Sequence, residues 1–130
     1  MSILVVDDEV DLGLLLKQFL QGLGFNVVSF TSSLLAFEHL KNSNNNYSLI
    51  ITDLRMPGIS GLELANRIRK ELSLSVKIFL ITAFDISDIN DNFEFQSAKI
   101  ERIIQKPIKL SNLKKMISQI WTTNPNVKSI

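Results

Sequence analysis

Five short apolar runs constrain this chain more than any other feature. They are Ile3-Leu4-Val5-Val6, Val27-Val28-Ser29-Phe30, Leu49-Ile50-Ile51, Ile78-Phe79-Leu80-Ile81, and Ile103-Ile104 with its flanks. They are rich in β-branched residues and mostly lack the alternation of a strand with one wet face. Continuous apolarity of this length belongs to strands covered on both sides, and hence to a parallel sheet.

Between the runs the spacing turns helical. Leu12, Leu15, Leu16, Phe19, Leu20 and Leu23 form a broad stripe, and Gly24 supplies a stop. Leu34, Phe37 and Leu40 form a second stripe. A third helix is predicted from about Gly61 to Leu72, with Leu62, Ala65, Ile68 and Leu72 on one face and Ser60 with Glu63 as its capping box. Ile86, Ile89 and Phe93 suggest a short fourth helix, weakened by the Asp and Asn around them. Leu110, Leu113, Met116, Ile117, Ile120 and Trp121 make the last and clearest stripe. The β-α alternation, five times over, implies helices on both faces of one sheet. One domain is expected over residues 1–121, followed by a polar tail, 122–130, that carries Pro125.

Composition narrows the class. With 130 residues and 45% apolar content the chain can bury a core, and with no cysteine it has no disulfide or thiolate chemistry. A net charge of +1 does not suggest a nucleic-acid binder. No apolar run reaches the length of a membrane span. Met1-Ser2 leads directly into the first run without a basic leader, so a cytoplasmic protein is expected.

Polar residues gather where the strands end. Asp7-Asp8 follows the first run, Asp53 the third, Thr82 the fourth and Lys106-Pro107 the fifth. Parallel sheets bind ligands beyond the carboxyl ends of their strands, so residues far apart in sequence converge on one edge. Three clustered carboxylates repel each other, and a hard divalent cation such as Mg²⁺ relieves that repulsion. Lysine and threonine suit phosphate oxygens, and an aspartate nucleophile would give an acyl phosphate. His39, the only histidine, is expected to pack on the second helix or face solvent, while Lys109, Lys114 and Lys115 read as a solvated face.

These residues carry a resemblance to the receiver domain of two-component response regulators. The matching stretches are Val5-Val6-Asp7-Asp8-Glu9, Asp53-Leu54-Arg55-Met56-Pro57-Gly58 with Gly61-Leu62-Glu63-Leu64, Thr82-Ala83 and Lys106-Pro107. The resemblance implies a flavodoxin-like, doubly wound α/β fold with five parallel strands in the order 2-1-3-4-5 and five helices. It implies Asp53 as phosphoacceptor, with Mg²⁺ on Asp8, Asp53 and the Arg55 backbone carbonyl, and on Asp7 through a water. Lys106 would contact the phosphoryl group, Thr82 would hydrogen-bond it after transfer, and Ala83 would leave room for the donor. The Lys106-Pro107 bond would be cis. One departure is Ile103, where the family often has a Tyr or Phe that partners the threonine in switching.

The function so implied is acceptance of a phosphoryl group from a sensor histidine kinase or phosphotransfer protein. Transfer would then change a face made of the fourth helix, fifth strand and fifth helix, toward a downstream protein partner that the sequence does not identify. No independent enzyme activity, direct nucleic-acid binding or membrane contact is expected, and the family's habits admit a homodimer. Two other readings compete. A receiver-like interaction module without phosphorylation is left open by Ile103. An aspartate-nucleophile phosphohydrolase is disfavoured because Arg55 stands where that class has a second acid.

Overall fold

Every apolar run forms a strand. In the computed structural model, which describes residues 1–42, 46–83 and 93–122, the strands are β1 (Ser2–Val6), β2 (Asn26–Phe30), β3 (Leu49–Asp53), β4 (Lys77–Thr82) and β5 (Arg102–Gln105). The helices are α1 (Val10–Gly22), α2 (Ser33–Asn42), α3 (Gly61–Glu71), α4 (Phe93–Ala98) and α5 (Leu110–Thr122). All strand pairs are parallel, in the order β2-β1-β3-β4-β5.

The strands' two faces build two cores. Side chains alternate across a sheet, so each strand serves both. Ile3, Val5, Leu49, Ile51, Phe79 and Ile81 pack with Leu16 and Leu20 of α1 and with Leu113, Ile117 and Ile120 of α5. Leu4, Val6, Ile50 and Ile78 pack with Ala36, Phe37 and Leu40 of α2, with Leu62, Leu64, Ala65 and Ile68 of α3, and with Ala98 of α4. Truncating one of these fully buried leucines or isoleucines to alanine costs about 2–5 kcal/mol, so the double-sided burial dominates the stability.

Local chemistry sets the helix ends. After α1, Gly24 takes φ +99°, a left-handed conformation that most L residues avoid, and its N–H donates to the Gln21 carbonyl. The α3 N-cap is Ser60, whose hydroxyl accepts the Glu63 N–H at 3.1 Å. Glu63 turns its own carboxylate to Arg67, 3.5 Å away, and so forms half of the predicted capping box. That exposed i,i+4 pair contributes only about 0.3–0.5 kcal/mol.

Arg69 joins α3 to its neighbours more firmly. Its guanidinium donates to the carbonyls of Leu74, Val76, Ala98 and Lys99 at 2.6–3.1 Å. It thereby satisfies the carboxyl end of α4 and the approach to β4 together. The Ser97 hydroxyl adds a second link, donating to Asn66 Oδ1 on α3. Of the predicted fourth-helix face, Ile86 and Ile89 lie outside the described residues, as do the Trp121 side chain and residues 123–130 of the tail.

Candidate functional site

The central strands deliver three carboxylates to one edge. β1 and β3 are neighbours with Val6 beside Thr52, so the residues that follow, Asp7 and Asp53, emerge side by side. Asp53 is in turn paired with Ile81, and Thr82 is the next residue of β4. The ladder between β4 and β5 continues one step further, where the Lys106 N–H donates to the Thr82 carbonyl at 2.8 Å. Asp7, Asp53, Thr82 and Lys106 thus occupy one rim because four strands end in register.

Gly61 lets the rim close. Its N–H donates to the Leu54 carbonyl at 2.8 Å, and a β-carbon there would meet the Asp53 carbonyl oxygen at 2.0 Å. Only glycine admits α3 so near the strand end. On the other side, the buried Ser33 hydroxyl donates to the Ile59 carbonyl at 2.7 Å, tying α2 to the loop after Asp53.

Carboxylate oxygens of Asp7, Asp8 and Asp53 lie within 4.8 Å of one another. Asp7 and Asp53 are buried and Asp8 is exposed, which gives the pocket an open side. Asp7 Oδ1 accepts the Glu9 N–H at 2.8 Å. Its other oxygen, Oδ2, is buried with no hydrogen-bond partner among the described residues. Burial pushes the Asp7 carboxyl up to about 6, with Asp53 adding repulsion while the Glu9 N–H and Lys106 oppose the rise. Burial also raises Asp53, against the pull of Lys106. An orphaned carboxylate oxygen among clustered acids fits a divalent cation with oxygen ligands.

Lys106 stands over this pocket. Its Nζ lies 2.8 Å from Glu9 Oε1 and 3.4 Å from Asp53 Oδ1. Burial disfavours the ammonium, but Glu9, Asp53 and Asp7 outweigh that and raise its pKa. Glu9 is the neighbour that sequence reasoning left without a role; its adjacency to Asp7-Asp8 was the only available signal. The Lys106-Pro107 bond is cis, as expected. Thr82 is buried, Ala83 and Arg55 are exposed, and Ile103 is half-buried in β5 beside Leu80. His39 packs near Phe30, with ring centres 5.0 Å apart, and its Nε2 is 2.6 Å from the Tyr47 hydroxyl. It is remote in sequence and bonding from the acidic rim.

The family model for the response regulator receiver domain matches residues 3–118. The chain belongs to that family. This receiver is 31% identical over 111 residues to the response regulator receiver protein CpdR of Brucella abortus (strain 2308), covering 85% of the chain and 88% of CpdR. It is 30% identical over 125 residues to the response regulator RppA of Synechocystis, covering 96% of the chain but 52% of RppA. With the sensor protein EvgS of Escherichia coli (strain K12) it shares 35% identity over 120 residues, 10% of EvgS. The receiver therefore spans nearly all of one relative, about half of another and a small part of a third.

Among solved structures, it resembles the Thermotoga maritima response regulator TrrA in complex with Mg²⁺-BeF. The TM-score is 0.77 at 34% identity, over 92% of this chain and 97% of TrrA. The Vibrio cholerae chemotaxis protein CheY4 shares the fold, with a TM-score of 0.81 at 20% identity over 92% of the chain and 97% of CheY4.

Proposed function

We propose that Asp53 is the residue of this receiver that takes the phosphoryl group, with Mg²⁺ as cofactor. The observation that carries the proposal is the joint geometry of the rim. Three carboxylates share one pocket, one of their buried oxygens lacks a partner among the described residues, and an ammonium stands 3.4 Å from Asp53. That TrrA was solved with Mg²⁺-BeF supports the same assignment.

The residues have distinct roles in this reading. Asp8, Asp53 and the Arg55 backbone carbonyl would hold the metal, with Asp7 supporting it through a water. A bound Mg²⁺ supplies charge neutralisation for the phosphoryl oxygens. An Asp53 oxygen attacks phosphorus, the bond from phosphorus to the donor breaks, and an acyl phosphate remains on the protein. Lys106 offsets the charge that gathers on the phosphoryl oxygens, and Thr82 donates its hydroxyl to one of them. Ala83, small and exposed beside Thr82, leaves the donor an approach. The donor is a histidine kinase or a phosphotransfer protein. With Arg55 two residues after Asp53 rather than an acid, the chain works as an acceptor and not as a turnover hydrolase.

The signal is then electrostatic. Phosphorylation adds about −1.5 to −2 charges beside Thr82 and Lys106. Thr82 shifts toward the new group, and the face formed by α4, β5 and α5 repacks, with Ile103 filling rather than swinging through the space behind it. The test is incubation with a small-molecule phosphodonor and Mg²⁺, read by intact-protein mass spectrometry. One added phosphoryl group is expected in wild type and none in Asp53→Ala. An unmodified wild type, or full modification of Asp53→Ala, contradicts the assignment.

A further inference from the structure

Lys106 is shared between two carboxylates, and the shares are unequal. A charge-assisted N–H···O bond is about 2.7–2.9 Å long. The contact to Glu9, at 2.8 Å, is a hydrogen bond of that kind; the contact to Asp53, at 3.4 Å, is well beyond that length and correspondingly weaker. The ammonium's short bond therefore points outward, to an acid on the pocket's lip. Glu9 itself is 62% exposed, whereas Lys106 is 21% exposed, so the lysine is held at the mouth of the pocket by a group standing in solvent.

The consequence concerns Asp53. An ammonium seated fully on Asp53 would compete with a divalent cation for the same oxygens, because both neutralise the same charge. We propose that Glu9 is a positioning residue which draws the Lys106 ammonium off Asp53 and so keeps that carboxylate open to the metal. This inference rests on the reading of Asp53 as a metal-binding phosphoacceptor, and adds a residue to which that reading gave no role.

Two features of the chain support it. The Glu9 backbone is fixed at the pocket, since its N–H donates to Asp7 Oδ1. The Lys106 backbone is fixed to β4 through the Thr82 carbonyl. With both main chains anchored, the Glu9–Lys106 contact is made by side chains of defined origin, which limits the entropy lost on pairing. Asp53 is 7% exposed in its side chain, so even a small displacement of the ammonium changes its partners in a poorly solvated place.

The experiment is a Mg²⁺ titration of the full chain, followed by backbone amide shifts around residues 7–9 and 53–55. Wild type, Glu9→Gln, Lys106→Met and the double variant form a cycle. With Gln at position 9 the lysine closes on Asp53, and Mg²⁺ binds roughly three- to fivefold more weakly, the range set by an exposed pair. In the Lys106→Met background the same Glu9→Gln change alters the affinity less than twofold. Equal weakening in both backgrounds would show that Glu9 acts through its own charge and would overturn the proposal, as would unchanged affinity in Glu9→Gln. If wild type bound no Mg²⁺ at all, the metal-pocket reading would fall first. Wild-type binding with a flat cycle would remove Glu9 alone. A urea titration of each variant confirms that all four are folded.

Discussion

Gly61 approaches Asp53 so closely that a single added carbon would collide with its backbone: the β-carbon would lie 2.0 Å from the Asp53 carbonyl oxygen and 2.9 Å from its carbonyl carbon. Neither obstacle is a flexible side chain, so relief requires moving α3 or the end of β3. Gly61→Ala is therefore expected to destabilise the fold by about 2–4 kcal/mol, in the range of overpacking and strain. Urea unfolding measures that loss. The phosphorylated fraction at fixed phosphodonor should fall as well, since the strand end carries Asp53; a variant with wild-type stability would refute the steric account.

The acidic pocket opposes folding once its protons leave. Asp7 titrates near 6 in the folded chain against 3.8 for the ordinary carboxyl. Below the lower value the residue is protonated in both states, and its burial costs little. As pH rises from about 4 through about 6 the folded state holds the proton more tightly than the unfolded one, so stability falls. At about 1.4 kcal/mol per unit, the fall approaches 3 kcal/mol. Asp53, raised for the same reason, adds to it with the same sign. Urea unfolding in EDTA should show this decline between pH 4 and 7, and Asp7→Asn should flatten it and stabilise the metal-free protein at pH 7.5. Mg²⁺ at saturating concentration should recover much of the loss by mass action.

Arg69 has four carbonyl partners on two chain segments, Leu74 and Val76 before β4 and Ala98 and Lys99 at the end of α4. Arg69→Met keeps the length of the aliphatic stem but leaves those carbonyls to water or to nothing. A loss of about 2–3 kcal/mol is expected, since hydrogen bonds to a charged group are among the stronger ones. Hydrogen exchange at residues 95–99 should accelerate more than in β3. Uniform acceleration across the sheet would mean that Arg69 serves the whole fold rather than the junction of α3 and α4.

Ser33→Ala removes the hydroxyl that donates to the Ile59 carbonyl. The expected cost is about 1–2 kcal/mol, because the partner carbonyl is left without its donor. Wild-type Mg²⁺ affinity should persist, for the bond sits behind the loop and touches no carboxylate of the pocket.

The strands were legible because double-sided burial leaves unbroken apolar runs, and all five emerged as β1 to β5. The rim was legible because a parallel sheet gathers whatever follows its strands; Asp7, Asp53, Thr82 and Lys106 needed no knowledge of side-chain packing. Gly61 was visible only as the start of a helix. Its steric reason lies eight residues upstream in another element, which no local pattern encodes. Glu9 and Lys106 are 97 positions apart and meet through two flexible side chains, so the sequence marks neither as the other's partner. Arg69 is one of several basic residues on α3, and nothing local distinguishes it until the carbonyls at 74, 76, 98 and 99 are placed.

The hydrogen bond from the Lys106 main chain to the Thr82 carbonyl gives the two residues one mechanical footing but different clocks. Because the lysine backbone is pinned, its ammonium can leave Glu9 for an incoming anion only by turning about side-chain bonds. Such rotations take picoseconds to nanoseconds, whereas collective helix shifts take microseconds to milliseconds. Charge would be compensated at once and shape would follow, so the earliest moments after phosphorylation belong to a protein electrically switched and structurally still at rest.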